Sequence, residues 1–122
     1  MFKVAMVDDN KEFLKRIKKI TEDILNVSMP EYEICVYESP VDMDEDLESG
    51  KQGYFDLYLM DIEMPGMSGL KLAQTIRKKY AQPYLIFVTA HAGYSVESYK
   101  HKAFYYVLKD RLKEMLTEAL ND

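Results

Sequence analysis

The sequence contains few of the residues that build exported, membrane or fibrous proteins. Its 122 residues include no tryptophan, one cysteine, 5 glycines and 4 prolines. A single cysteine excludes an intrachain disulfide, and so little glycine and proline excludes a collagen-like repeat or a low-complexity tail. No apolar run approaches the roughly 18 residues of a membrane span, and the N-terminus lacks the pattern of a secretory leader. We therefore expect a protein of the reducing cytoplasm with no membrane contact.

The chain also lacks an excess of positive charge. Sixteen basic and 21 acidic residues give a formal net charge of −5. Direct binding of nucleic acid by this chain is therefore not expected, because such binding depends on clustered positive charge. The length and the 48% content of hydrophobic residues predict one domain over residues 1–122.

Short apolar segments alternate with amphipathic segments from end to end. Strands are predicted at Phe2–Val7, Tyr32–Tyr37, Phe55–Met60, Tyr84–Val88 and Phe104–Leu108. Helices are predicted at Lys11–Leu25, from Pro40 to before Gly50 or Gly53, from Ser68 to about Tyr80, at Tyr94–Lys102 and at Arg111–Leu120. Strict alternation predicts an α/β fold with a five-stranded parallel sheet. We expect the strand order 2-1-3-4-5, which is common in doubly wound sheets.

Several residues have predicted local roles in this scheme. Asn10, Ser39 and Ser68 are expected to cap the helices that follow them. Phe13, Ile17, Ile20 and Ile24 are expected to form the buried face of the first helix. Cys35 lies in a predicted strand and is expected to be a small buried apolar residue.

Polar residues follow four of the five predicted strands at their carboxyl ends. Asp8 and Asp9 come after the first strand, Asp61 after the third, Thr89 at the end of the fourth and Lys109 after the fifth. Ligands of open parallel sheets bind at that edge, so these side chains are expected to converge. Clustered carboxylates repel one another and favour a hard divalent cation such as Mg²⁺. A lysine and a hydroxyl beside them suit the transfer of a phosphoryl group to a carboxylate.

Four segments resemble the receiver domain of two-component response regulators. They are Val7-Asp8-Asp9, the run from Leu59 through Asp61-Ile62-Glu63-Met64-Pro65-Gly66-Met67-Ser68 to Gly69, Val88-Thr89-Ala90 and Tyr106-Val107-Leu108-Lys109. The resemblance covers the whole chain and is greatest to receivers that are attached to LytTR-type DNA-binding domains. It implies a flavodoxin-like (βα)5 sandwich of three layers.

The resemblance also implies a role for each matched residue. Asp61 corresponds to the phosphoacceptor, which a sensor histidine kinase phosphorylates. Asp9 corresponds to a direct Mg²⁺ ligand, Asp8 to a ligand that often acts through water, and the backbone carbonyl of Glu63 to a further ligand. Lys109 corresponds to the partner of the phosphoryl oxygens.

The same family pairs a switch hydroxyl with an aromatic side chain, and these correspond to Thr89 and Tyr106. The implied activity is signalling through an output surface that switches when Asp61 is phosphorylated. The chain is not expected to be an enzyme beyond its own phosphorylation and dephosphorylation. A second copy of the chain is expected as one partner, in a homodimer formed through the predicted fourth helix, fifth strand and last helix.

One position departs from the family pattern. Receivers usually have proline after the lysine, with a cis peptide, whereas Asp110 follows Lys109 here. A cis bond without proline costs roughly 2.5–4 kcal/mol, so we predict a trans Lys109–Asp110 peptide and an altered turn that could move the Lys109 amine. The Glu63 side chain is also expected to add negative charge at the mouth of the site.

Other functions remain open at this point. The chain could be a stand-alone receiver that acts through protein contacts, or the N-terminal part of a LytTR-type transcriptional regulator. A Mg²⁺-dependent phosphohydrolase of the haloacid dehalogenase type would need Asp-x-Asp after the first strand, where this chain has Asp8-Asp9-Asn10. A flavin mononucleotide carrier would need a phosphate-binding loop rich in Ser, Thr and Gly, which the sequence lacks at that place.

Overall fold

The computed structural model describes residues 1–28, 31–50, 55–80, 84–90 and 105–120. This part of the chain contains strands β1 Phe2–Val7, β2 Tyr32–Tyr37, β3 Leu57–Met60, β4 Tyr84–Thr89 and β5 Tyr105–Leu108. It also contains helices α1 Lys11–Ser28, α2 Pro40–Ser49, α3 Gly69–Lys79 and α4 Leu112–Leu120, with a 3₁₀ turn at Lys109–Arg111 before α4. The helix predicted at Tyr94–Lys102 lies outside the described residues.

The strands form one parallel sheet in the order β2-β1-β3-β4-β5. The predicted fold class and strand order are therefore confirmed. Val7 of β1 lies beside Met60 of β3, so these two central strands end at the same level. Thr89 of β4 likewise lies beside Leu108 of β5. This register brings the residues that follow each strand to one edge of the sheet.

Two hydrophobic clusters cover the two faces of the sheet. Helices α2 and α3 pack on one face, and their cluster includes Met43, Leu47, Leu72, Ile76, Tyr58 and Phe87. Helices α1 and α4 pack on the other face, with Leu14, Ile17, Leu112, Leu116, Met6 and Val88. The central strands are covered on both sides, which explains why their sequences are apolar without alternation. None of the described helices is long and apolar enough to cross a bilayer.

The predicted helix signals act as expected. The side-chain oxygens of Ser39 and Ser68 accept hydrogen bonds from the backbone N–H groups of Val41 and Lys71 at the starts of α2 and α3. Helix α2 ends at Gly50, which has a left-handed backbone with φ of 70°, a conformation that costs glycine least.

The buried face of α1 differs from the prediction by a small rotation. The buried residues are Leu14, Ile17, Thr21 and Leu25, whereas Phe13, Ile20 and Ile24 are half-buried at the border of this face. Both sets repeat with a helical period. The broad apolar stripe of α1 therefore fits either choice, and contact with β1 and α4 determines which residues lie at its centre.

Smaller differences concern element ends and Cys35. Helix α1 continues to Ser28, three residues beyond the predicted end, and β3 begins at Leu57 although the preceding Phe55 is buried. Cys35 is only half-buried, because β2 is an edge strand. Burial, followed by the nearby Glu33, raises the pKa of the Cys35 thiol.

Candidate functional site

Three carboxylates meet at the carboxyl ends of the central strands. Oxygens of Asp8, Asp9 and Asp61 lie within 4.8 Å of one another. Asp8 and Asp61 are buried, and Asp9 is exposed. The backbone N–H of Asp61 donates to the Val7 carbonyl at 3.1 Å, which continues the contact between β1 and β3 beyond their last residues. The sheet therefore determines where these acids lie.

Lys109 reaches this cluster from the end of the edge strand β5. Its Nζ lies 2.9 Å from Oδ2 of Asp8 and 3.2 Å from Oδ2 of Asp61. The Lys109 side chain is 17% exposed, against 1% for Asp8 and 9% for Asp61. Because water is largely excluded, these ion pairs are screened less than pairs on an open surface.

The second oxygen of each buried carboxylate accepts a hydrogen bond from the backbone. The N–H of Asn10 donates to Oδ1 of Asp8 at 2.9 Å, and the N–H of Ile62 donates to Oδ1 of Asp61 at 2.7 Å. Each carboxylate thus has one oxygen held by the backbone and the other directed at the Lys109 amine. This arrangement orients both acids before any ligand binds.

Two pKa values in the cluster are shifted upward, for different reasons. Burial raises the pKa of the Asp61 carboxyl and the charge of Asp8 adds to this, while Lys109 opposes it. Burial alone lowers the pKa of the Lys109 amine, but its contacts with Asp8 and Asp61 outweigh that effect, so the net direction is also upward. The two anionic partners of the amine outweigh its burial, whereas at Asp61 burial and the charge of Asp8 together outweigh the effect of Lys109.

The donor set fits a hard divalent cation. Oxygens bound to one Mg²⁺ at about 2.0–2.1 Å lie at most about 4.2 Å apart. Neighbouring ligands of an octahedral ion lie only about 3 Å apart, so the three carboxylates, whose oxygens lie within 4.8 Å of one another, would move closer together on binding or would bind in part through water. Mg²⁺ in proteins prefers oxygen ligands and usually keeps several bound waters, so a site that is partly exposed to solvent suits it.

A comparison with protein families assigns the chain to a family. The model of the response regulator receiver domain matches residues 4–121. The chain belongs to the receiver domain family. Receiver domains bind Mg²⁺ at an acidic pocket and take a phosphoryl group from histidine kinases in two-component systems.

Curated relatives include two bacterial regulators. Sensory transduction protein LytR of Staphylococcus epidermidis is 37% identical over 84 residues, which are 69% of this chain and 33% of LytR. Transcriptional regulatory protein NatR of Bacillus subtilis is 31% identical over 121 residues, which are 99% of this chain and 49% of NatR. The receiver thus spans between a third and a half of these relatives.

A solved structure matches the receiver almost from end to end. Response regulator protein TrrA of Thermotoga maritima, in complex with Mg²⁺-BeF, is 32% identical, with a TM-score of 0.70. The match covers 98% of this chain and 99% of that one. The shared fold agrees with the strand order described above.

The structure gives positions for the three remaining predicted site residues. Thr89 is fully buried at the end of β4, beside Leu108, which precedes Lys109. Glu63 is exposed two residues after Asp61. Tyr106 belongs to β5, where its backbone pairs with Phe87 of β4.

The turn after β5 keeps the lysine at the site. The Lys109–Asp110 peptide is trans, as predicted. Lys109 begins a 3₁₀ turn that leads into α4. This turn does not carry the amine away from the acids, since Nζ remains in contact with Asp8 and Asp61.

Two residues at the site were not predicted from the sequence. The ring of Phe13 lies under the Lys109 amine, with Nζ 4.3 Å from the ring centroid. Gly69 lies against the backbone of Asp61, and a Cβ atom placed on it would be 1.9 Å from the Asp61 carbonyl oxygen. Two features of the sequence could have indicated these residues. Phe13 lies in the first turn after the acidic pair, and Gly69 comes eight residues after Asp61.

Proposed function

We propose that Asp61 accepts a phosphoryl group from a sensor histidine kinase in the presence of Mg²⁺. The observation that carries this proposal is the contact of Lys109 Nζ with carboxylates that follow β1 and β3. In the transfer, a carboxylate oxygen of Asp61 forms a bond to phosphorus while the bond from phosphorus to the kinase histidine nitrogen breaks. The product is an aspartyl phosphate, and the electron pair of the broken bond stays on the histidine.

The surrounding residues have separate tasks in this proposal. Mg²⁺ would be held by Asp8, Asp9, Asp61 and the backbone carbonyl of Glu63, and it would supply positive charge for the phosphoryl oxygens. The Lys109 amine supplies a second positive charge, and the 2.7 Å hydrogen bond from Ile62 keeps the Asp61 carboxylate oriented. No general base is needed, because the nucleophile, the Asp61 carboxylate, is already an anion.

The output follows from residues at the ends of β4 and β5. We propose that the buried Thr89 hydroxyl and the Tyr106 side chain respond to phosphorylation and bias the surface that includes residues 94–109. Two conformations with shifted populations would then carry the signal to a partner. A homodimer through this surface and α4 is one such partner.

The wider context is also part of the proposal. We propose that residues 1–122 form one receiver domain, without catalytic turnover of a substrate, in the N-terminal part of a cytoplasmic LytTR-type transcriptional regulator. The greater length of LytR and NatR supports this. A stand-alone receiver is the competing proposal, supported by the near-complete match to the TrrA chain. The reading frame after residue 122 of the gene distinguishes the two.

The test is phosphorylation of the purified chain by a small phosphodonor. With Mg²⁺ present, intact-mass spectrometry should show the addition of one phosphoryl group, and chelation of Mg²⁺ should abolish it. The Asp61→Asn variant should remain unmodified, whereas Asp23→Asn, which changes an exposed acid on α1, should be modified like the wild type. A mass gain that persists in Asp61→Asn would refute the assignment.

A further inference from the structure

The Lys109 amine has a third neighbour besides the two acids. Its Nζ lies 4.3 Å from the centroid of the Phe13 ring, well inside the distance of roughly 6 Å at which a cation is attracted to an aromatic face. Phe13 is half-buried at the border of the cluster between α1 and the sheet. The contact therefore lies in a partly desolvated place, where this attraction is stronger than at an open surface.

The backbone that carries Phe13 is tied to the same site. The Phe13 N–H donates to Oδ1 of Asn10 at 3.0 Å, and the Asn10 N–H donates to Oδ1 of Asp8 at 2.9 Å. The other oxygen of Asp8 contacts Lys109. These contacts form a closed circuit from Asp8 through Asn10 and Phe13 to Lys109 and back to Asp8. The start of α1 thus fixes the position of the Phe13 ring relative to Asp8.

The ring differs from the other two partners of Lys109 in one respect. Asp8 and Asp61 are both proposed metal ligands, and Asp61 is the proposed phosphoacceptor, so the charge or the bonding of both changes during the reaction. The Phe13 ring takes part in neither change. A lysine side chain has many rotamers, and Lys109 extends from the edge strand β5 to the ends of the central strands. A contact with Phe13 that does not change during the reaction would limit these rotamers.

We infer that Phe13 is a positioning residue, whose ring face keeps the Lys109 amine over the acidic site while the carboxylates exchange partners. This inference rests on the proposed phosphorylation of Asp61 and adds a residue to it. A ring that only fills space would serve equally well as leucine. A ring that acts on the ammonium group needs its aromatic face.

The first measurement needs no reaction. In an NMR spectrum of the wild-type chain, the ring current of Phe13 should shift the ε-methylene protons of Lys109 upfield. The shift should disappear in Phe13→Leu and persist in Phe13→Tyr. It should also persist in the wild type after phosphorylation, because the ring keeps its place. Normal ε-methylene shifts in the unmodified wild type would refute the inference even if Phe13→Leu failed to fold.

The second measurement is the rate of phosphorylation by a small phosphodonor with Mg²⁺. Phe13→Leu should slow it by roughly 2- to 30-fold, the range that corresponds to about 0.5–2 kcal/mol for a cation on an aromatic face. Phe13→Tyr should restore most of the rate. Phe2→Leu is the matched control, since it removes a ring from the same cluster at the opposite end of β1, and it should react like the wild type.

A double-mutant cycle separates positioning from packing. In the Lys109→Ala background, Phe13→Leu should cause no further loss, because the ring then has no amine to hold. An equal loss in both backgrounds would show a purely structural role and overturn the inference, as would a wild-type rate in Phe13→Leu. These results differ from failure of the proposed function itself, in which the wild type would not be modified or Asp61→Asn would be.

Discussion

Substitution of Gly69 by alanine tests how closely α3 packs against Asp61, the proposed phosphoacceptor. Gly69 is the first residue of α3, and its N–H donates to the Ile62 carbonyl at 2.8 Å. An added Cβ would lie 1.9 Å from the Asp61 carbonyl oxygen, whereas real Cβ contacts are essentially never shorter than 3.0 Å. The backbone of α3 or of Asp61 must therefore move by at least 1.1 Å, because neither atom belongs to a flexible side chain.

The expected loss of stability follows from that displacement. Overpacking of this kind costs about 1–3 kcal/mol, and weakening of the Gly69–Ile62 hydrogen bond adds about 1 kcal/mol. The higher helix propensity of alanine offsets at most about 1 kcal/mol. Gly69→Ala should therefore lower the free energy of unfolding by about 1–3 kcal/mol, measured by urea denaturation. From helix propensity alone one would expect a gain, so the sign of the change decides between the two arguments.

The same displacement should slow phosphorylation of Asp61. A misplacement of about 1 Å can cost about 100-fold in rate, so we expect a loss of about 10- to 100-fold with a small phosphodonor. Gly50→Ala is the matched control, because Gly50 has a left-handed backbone but no atom of the described residues lies within 4 Å of its Cβ position. It should lower stability by roughly 1–2 kcal/mol without slowing the reaction. A stable, fully reactive Gly69→Ala variant would refute this account of the site.

Three further substitutions test stability by urea denaturation. Asp61→Asn should raise the free energy of unfolding by about 0.5–2 kcal/mol at neutral pH. Since the pKa of Asp61 is raised in the folded state, its charge destabilises the fold above that pKa, and the gain should vanish as the pH falls below the unfolded value of 3.8; a gain independent of pH would contradict this. Thr21→Val should raise stability by about 1 kcal/mol, because the buried Thr21 hydroxyl has no hydrogen-bond partner among the described residues; a loss would show a missed partner. Ser39→Ala should remove about 1 kcal/mol through loss of the α2 cap, and an unchanged midpoint would argue against that cap.

Local signals in the sequence were sufficient for most of the fold. The pair Ser39-Pro40 and the glycine at position 50 mark both ends of α2, since capping depends on the side chain or backbone freedom of one residue. The apolar segments gave β1 and β2 with the bounds that the structure has. The buried face of α1 was less certain, because a broad apolar stripe fits more than one rotation and long-range packing makes the choice.

The candidate site could likewise be predicted from the sequence only in part. The acids at positions 8, 9 and 61 could be brought together from the sequence, because parallel strands end at one edge of the sheet whatever their separation along the chain. The contact of Phe13 with Lys109 could not. It joins residues 96 positions apart in sequence, and it depends on the rotamers of two side chains. The approach of Gly69 to Asp61 likewise depends on how α3 packs on the sheet.

The charge of the cluster explains why lysine and a metal are both expected. Three carboxylates and one ammonium group leave a formal charge of −2 among largely buried groups. Burial, with the charge of Asp8 adding to it, raises the pKa of Asp61, and the charged form of Asp61 is the nucleophile of the proposed reaction. A divalent cation would bring the sum to zero and would favour the charged form of Asp61. In the proposed reaction the incoming phosphoryl group adds negative charge again, so the Lys109 amine would have to remain close by after the cation has balanced the acids.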